Sequence, residues 1–177
     1  PIVWDSINDV IVGAKEIMGF LKKVSRLVAS ENLPVCWTTP NPLNFPVQMM
    51  CYKKESKRVK TKMGDSIIKL SIQSDKDEID KRKTAQSICP NLIHSLDASC
   101  LMLAVIKAKD KGVTNFSLIH DSFGCVAPDV HKLSEAIREA FCEVYEQDVL
   151  TNWAMEMKQM LSNKNAKKFP HIPERGN

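Results

Sequence analysis

Between Lys53 and Gln73 the chain has a pattern that only an extended ribbon can use. Lys53, Lys54, Lys57, Arg58, Lys60 and Lys62 crowd together, and Met63-Gly64-Asp65-Ser66 supplies turn chemistry. Ile68, Leu70 and Ile72 then alternate with Lys69, Ser71 and Gln73. Side chains two apart share one face of a strand, so a strand, a turn and an alternating strand predict a β-hairpin. The same period sends Arg58, Lys60 and Lys62 to one face, where Lys69 can join them from the return strand. Two-stranded ribbons fit the DNA major groove, where Arg and Lys reach guanine acceptors and phosphates. Lysines also guard solvated edge strands against aggregation. The local pattern admits both readings.

The rest of the chain mixes helical and extended periods. Val3, Ile7, Val10, Ala14, Ile17, Leu21, Val24 and Val28 recur at helical spacing, and Asn32 and Pro34 end that helix. Val35 to Thr39 and Phe45 to Tyr52 read as paired short strands around a Pro/Asn cluster. Ser74 to Lys83 is charged and reads as a surface loop. Pro90 is placed to open a long amphipathic helix that ends at Gly112, a left-handed cap. Phe116 to His120 reads as a strand, Asp121-Ser122-Phe123-Gly124 as a turn, and residues 129–147 and 149–162 as two helices. From Lys164 the chain is poor in apolar residues, which predicts a poorly ordered tail.

A length of 177 residues, a hydrophobic fraction of 44% and a charged fraction of 26% belong to an ordinary globular chain, not a disordered one. The net charge of +4 permits nucleic-acid binding without demonstrating it. No apolar run reads as long enough to cross a bilayer, and no membrane partner is expected. The start is not a signal peptide; the missing initial Met fits either a trimmed Met-Pro start or a cut from a longer chain. The six cysteines form no C-x-x-C pair and read as reduced thiols in a cytosolic protein.

Two stretches carry chemistry. In Phe116 to Gly124 an apolar strand delivers Asp121 to the tip of a tight hairpin. A carboxylate at a rigid tip can hold divalent ions where they stabilise both the attacking and the leaving oxygen of phosphoryl transfer. Mg²⁺ suits such oxygen ligands. The plainer alternative is a β-turn whose Asp bonds its own backbone. In Pro90 to Asp97, Asn91, His94 and Asp97 lie three apart on one side of a helix. His94 can donate to a nucleic-acid sugar or base edge; otherwise it is a satisfied, partly buried histidine.

These blocks, in this order, resemble the single-subunit DNA-directed RNA polymerases of phages and mitochondria. They are Trp37-Thr38-Thr39-Pro40 with Phe45-Pro46-Val47, the basic hairpin, Asp77-Glu78-Ile79-Asp80, Pro90 to Asp97, and His120-Asp121-Ser122-Phe123-Gly124. The resemblance covers nearly the whole chain and places it in the C-terminal part of such an enzyme. It implies an α+β fold: a partial right hand, with helices on a small antiparallel palm sheet and a protruding basic β-hairpin. Residues 1–89 would be distal fingers carrying the promoter-reading type of hairpin (about 53–73), 90–162 palm, and 163–177 a flexible tail. Asp121 would be the second catalytic, metal-binding aspartate, with Mg²⁺ as cofactor. His94 would lie near the growing RNA end and the incoming ribose. Arg58, Lys60, Lys62, Lys69 and His120 are assigned to nucleic acid.

The resemblance implies a DNA template and promoter, nascent RNA and ribonucleoside triphosphates as partners. It also implies the cytoplasm of a phage-infected or prophage-bearing bacterium. The blocks carrying the first catalytic aspartate, the nucleotide-gripping lysine and the sugar-discriminating tyrosine are absent, so a remaining polymerase body must supply them. Two-metal chemistry needs converging carboxylates, and the chain alone is expected not to synthesise RNA. A non-catalytic nucleic-acid-binding module and a subunit of a split polymerase are the alternatives. In the related right-hand DNA polymerases Glu usually follows His-Asp, and Gln stands where His94 is. Ser122 and His94 therefore favour RNA synthesis.

Overall fold

The computed structural model describes residues 11–64 and 66–174. Val3, Ile7 and Val10 of the expected helix and Asp65 of the expected turn lie outside the described residues. The chain runs α1 (Val12–Ser30), β1 (Val35–Thr38), β2 (Pro46–Met49), β3 (Tyr52–Met63), β4 (Ser66–Ile79) and α2 (Lys81–Asp110). It continues with β5 (Ser117–Ile119), β6 (Ser122–Gly124), a 3₁₀ turn (Ala127–Asp129), α3 (Val130–Glu146), α4 (Val149–Met160) and α5 (Asn163–Ala166). The strands form three separate antiparallel pairs, β1-β2, β3-β4 and β5-β6. The class is α+β; β1-β2 packs on the helices, and the long β3-β4 pair is almost wholly exposed.

Helix α2 organises this arrangement. It begins at Lys81, nine residues before the proline expected to open it, and Pro90 lies inside it. The charged stretch expected to be a loop instead finishes β4 and starts this helix. Asp80 explains the early start: its carboxylate accepts from the N–H groups of Arg82 and Lys83, both at 2.9 Å. That satisfies donors a helix start otherwise leaves open. Proline removes one intrahelical bond. Pro90 sits on the exposed side, while Thr84, Ile88, Leu92, Leu96, Ser99 and Leu103 carry one buried face past it. Packing along that face outweighs the missing bond. At the far end Gly112 adopts φ 86 and Val113 N–H bonds the Ala108 carbonyl at 3.0 Å, a left-handed cap where expected.

Contrary to the sequence expectation, α2 is long and apolar enough, by length and composition, to cross a membrane, and 33% of that apolar stretch is buried within the fold. Its buried face serves two neighbours. The first half joins Phe20, Leu21, Val24 and Val28 of α1, Trp37 of β1, and Trp153 and Met157 of α4 in the main core. The second half packs on α3 through Leu103, Ala104, Ala140 and Val144, and then through Ala108, Leu133 and Ala136. A ladder of ion pairs edges this antiparallel pair: Lys107–Glu143 at 2.6 Å, then Lys111 with Glu139 and Glu135 at 3.0 Å each. Hydrogen bonds to Glu135 and Glu139 raise the Lys111 pKa above its ordinary value.

Two expectations about the chain ends change. The buried stripe of α1 starts at Phe20, and Ala14 and Ile17 are exposed. Residues 163–172, expected to form a free tail, pack instead. Ala166, Phe169 and Ile172 lie on the main core, and the Phe169 ring meets Phe20 edge-on with centroids 6.0 Å apart. Glu31, at the end of α1, ties this segment down. Its carboxylate accepts from Ser162 N–H at 3.1 Å, Ser162 Oγ at 2.6 Å and Asn165 Nδ2 at 2.6 Å.

The Ser162 hydroxyl, then its N–H, hold the Glu31 carboxyl below the ordinary 4.5. A carboxyl whose pKa is depressed by folding contributes stability that is complete above the unfolded value and is lost as pH falls through the folded value. Thermal melts of wild type and Glu31→Gln between pH 7 and pH 3 test this. The wild type is expected to melt higher at neutral pH, with the gap closing below about pH 4.5. A gap that does not narrow at all between pH 7 and pH 3 contradicts this role.

Candidate catalytic hairpin and nucleic-acid interface

Strands β5 and β6 pair Ser117 with Gly124, Leu118 with Phe123 and Ile119 with Ser122. His120 and Asp121 are left as a two-residue turn, where the sequence suggested a strand running to His120 and a turn over Asp121 to Gly124; Ser122 to Gly124 instead form the return strand. His120 sits at φ 54, in the left-handed region. Two-residue hairpin loops demand positive φ, which matches the strand twist. A histidine there costs about 1 kcal/mol or more of backbone strain. Phe123 offsets it by packing into both clusters between α2 and α3. Gly124 permits a close approach: a Cβ there would stand 3.3 Å from the Ser117 carbonyl oxygen and 3.4 Å from Ser117 Cβ.

Asp121 is exposed and takes no hydrogen bond or ion pair among the described residues. The turn in which Asp bonds its own backbone is therefore not formed. Among the described residues no group of three or more His, Cys, Asp or Glu side chains converges as a metal site. A tip carboxylate suits Mg²⁺ as one ligand. Asp121 is at most part of a metal centre.

The Asn91, His94 and Asp97 stripe divides. Asn91 Nδ2 meets the Met49 sulfur at 3.0 Å. His94 is exposed and has no partner among the described residues, so the buried, satisfied alternative does not hold. Asp97 faces Cys100 and Tyr145. Burial first, and then the Asp97 charge, push the Cys100 thiol up. Burial, Cys100 and Asp97 together push up the Tyr145 phenol. Next to His94, Ser95 accepts the indole N–H of buried Trp37 at 3.1 Å and donates to the Leu92 carbonyl at 2.7 Å. This contact pins β1 to α2 at the His94 turn. The sequence marks Trp37 as part of a strand and a motif block, but no local pattern links residues 37 and 95.

The β3-β4 hairpin is longer than expected, running from Tyr52 to Ile79. Lys60 stands directly opposite Lys69, Arg58 opposite Ser71 and Lys62 opposite Ile67, so the four basic residues share one face. All four are exposed, and none has an ion-pair partner among the described residues. Lys53 and Glu78 form the hairpin's own ion pair, close to its base. The opposite face pairs Val59 with Leu70 and Lys57 with Ile72, and it too is exposed. The turn passes through Gly64 at φ 61.

The family model for DNA-dependent RNA polymerase matches residues 1–174, and the chain belongs to that family. It is 34% identical to the DNA-directed RNA polymerase of Enterobacteria phage T3 and 33% identical to the T7 RNA polymerase of Escherichia phage T7. Each match covers 99% of this chain and 22% of the relative. It is 37% identical to DNA-directed RNA polymerase 2, chloroplastic/mitochondrial, of Arabidopsis thaliana, over 97% of this chain and 16% of the relative. The chain thus spans about a fifth of the length of these phage and organellar relatives.

The tight β5-β6 crossing gives a direct check. Gly124→Ala is expected to push the Ser117 carbonyl away and lower unfolding stability by about 1–3 kcal/mol, the usual cost of overpacking. Chemical denaturation measures it. An unchanged midpoint would mean that the crossing yields freely.

Proposed function

We propose that this chain is the C-terminal segment of a single-subunit DNA-directed RNA polymerase. Residues 1–89 then belong to the distal fingers and 90–162 to the palm, with α2 crossing from one to the other. Asp121 is one of two aspartates that hold Mg²⁺, the other coming from the remaining polymerase body. Bound Mg²⁺ supplies charge stabilisation at the attacking and leaving oxygens of in-line nucleotidyl transfer. Asp121 fixes the point at which that charge is offered, and the strained two-residue turn limits its wander. His94 donates a hydrogen bond toward the ribose or the RNA end from a helix turn held by Ser95 and Trp37. His120 lies beside the nucleic acid next to the tip.

The exposed face of Arg58, Lys60, Lys62 and Lys69 binds promoter DNA, with phosphate contacts for affinity and base contacts for selectivity. Ribonucleoside triphosphates, template DNA and nascent RNA are the partners, and the compartment is that of the genome transcribed, a bacterial cytoplasm for a phage. By itself the chain makes no RNA, because a single aspartate would not hold the metal ions that in-line transfer needs.

The observation that carries this reading is the partnerless Asp121 carboxylate at the hairpin tip. The test is a chimera in which residues 1–174 replace the matching segment of the phage T3 enzyme. RNA synthesis is expected from the chimera, and Asp121→Asn is expected to lower it by about a thousandfold or more, equivalent to at least about 4 kcal/mol of transition-state stabilisation. A chimera that keeps its rate with Asn at 121 would refute the role.

A further inference from the structure

We infer that Asn32 is a positioning residue for DNA binding, fixing the direction in which the β3-β4 hairpin leaves the body; this rests on reading the hairpin as the DNA-binding element. Asn32 is the left-handed residue just past α1, at φ 59. Its backbone N–H closes the helix end on the Ala29 carbonyl, and its side-chain amide reaches the hairpin. Nδ2 donates to the Asp77 carbonyl at 3.0 Å, and Oδ1 accepts from the Ile79 N–H at 2.7 Å. One planar group thus holds two backbone positions on β4, as a neighbouring strand would.

The place it grips is the hairpin's weak point. Tyr52 pairs with Ile79, but the next pair is Lys54 with Asp75, so the ladder slips around Lys76 to Glu78. A bulge of this kind bends its strand and re-aims the residues beyond it. Asp77 lies within that bulge. Beyond Asn32, the base is closed by the Asp80 N–H bond to the Cys51 carbonyl at 2.7 Å and by the exposed Lys53–Glu78 pair.

Leverage makes the angle matter. Strand β3 has 12 residues, and β3 and β4 pair only with each other. At about 3.3 Å per residue the ribbon reaches roughly 36 Å from its base, so a swing of about 10° displaces the tip by about 6 Å. That is about half the width of a major groove. Asn32 itself is firmly held: Val28 and Ala29 are buried just before it, and the neighbouring Glu31 is bonded to Ser162 and Asn165.

The experiment is fluorescence anisotropy of a labelled random-sequence DNA duplex titrated with the full chain across a salt series. It is run at a temperature where circular dichroism shows every variant folded. Asn32→Gly keeps the backbone conformation and removes both bonds; Asn32→Asp keeps the acceptor for Ile79 N–H and loses the donor. Asn32→Gly is expected to bind about five- to tenfold more weakly than wild type, with Asn32→Asp in between. A Lys60→Ala/Lys62→Ala variant tests the underlying reading: its slope of log affinity against log salt is expected to be shallower by about 1.8. If that slope drops but folded Asn32→Gly binds like wild type, even with a lower melting temperature, the inference is overturned and the DNA-binding reading stands. If the lysine variant keeps the wild-type slope, the DNA-binding reading fails and the inference falls with it.

Discussion

Most of the structure depends on the continuous buried face of α2. From Thr84 to Ala108 one helix supplies the wall against which α1 and α4 pack on one half and α3 on the other. Burying a large aliphatic side chain stabilises by about 1.5–3 kcal/mol, so Ile88, Leu92, Leu96 and Leu103 together outweigh the bond lost at Pro90. The candidate site residues are placed relative to this helix. His94 rides on its exposed side, and the β5-β6 hairpin is held by Phe123 between α2 and α3. The basic hairpin ends one residue before the Asp80 cap of this helix, at Ile79.

Rigid core and exposed chemistry are thereby separated. The side chains of Asp121, His94, Arg58, Lys60, Lys62 and Lys69 are all exposed, and none makes a hydrogen bond or ion pair among the described residues. The groups that fix them lie one step inward: Phe123 and Gly124 under the aspartate, Trp37 and Ser95 beside the histidine, Asn32 at the hairpin base. Groups meant to meet an ion or a phosphate are best left unsatisfied by their own chain and held in place by neighbours that are satisfied.

Local signals in the sequence were enough to find the basic ribbon, the hairpin tip at Asp121 and the Gly112 cap, because each depends on alternation, turn residues or a required backbone conformation; the turn at Asp121 is tighter than they suggested, since Ser122 to Gly124 already form the return strand. They failed where tertiary packing overrode local preference. Pro90 reads as a helix start, yet the buried face running from Thr84 through Ile88 carries the helix past it, and the Asp80 cap lies in a stretch that reads as a charged loop. The segment after Lys164 looks too polar to order, but Phe169 and Ile172 find the core and Glu31 fastens Ser162 across 131 positions of sequence. The apolar stripe expected from Val3 onward is buried only from Phe20 among the described residues, because periodicity shows a face without showing its cover. Contacts such as Trp37 to Ser95 and Asn32 to Ile79 join residues far apart in sequence and leave no local trace.

The most direct measurement is template-dependent incorporation of labelled ribonucleotides by the purified 177-residue chain in Mg²⁺, with and without a polymerase body carrying the other aspartate. No incorporation is expected from the chain by itself, and activity abolished by Asp121→Asn is expected once the body is supplied. RNA synthesis by the chain alone would contradict the view that Asp121 is half of a metal site completed from elsewhere.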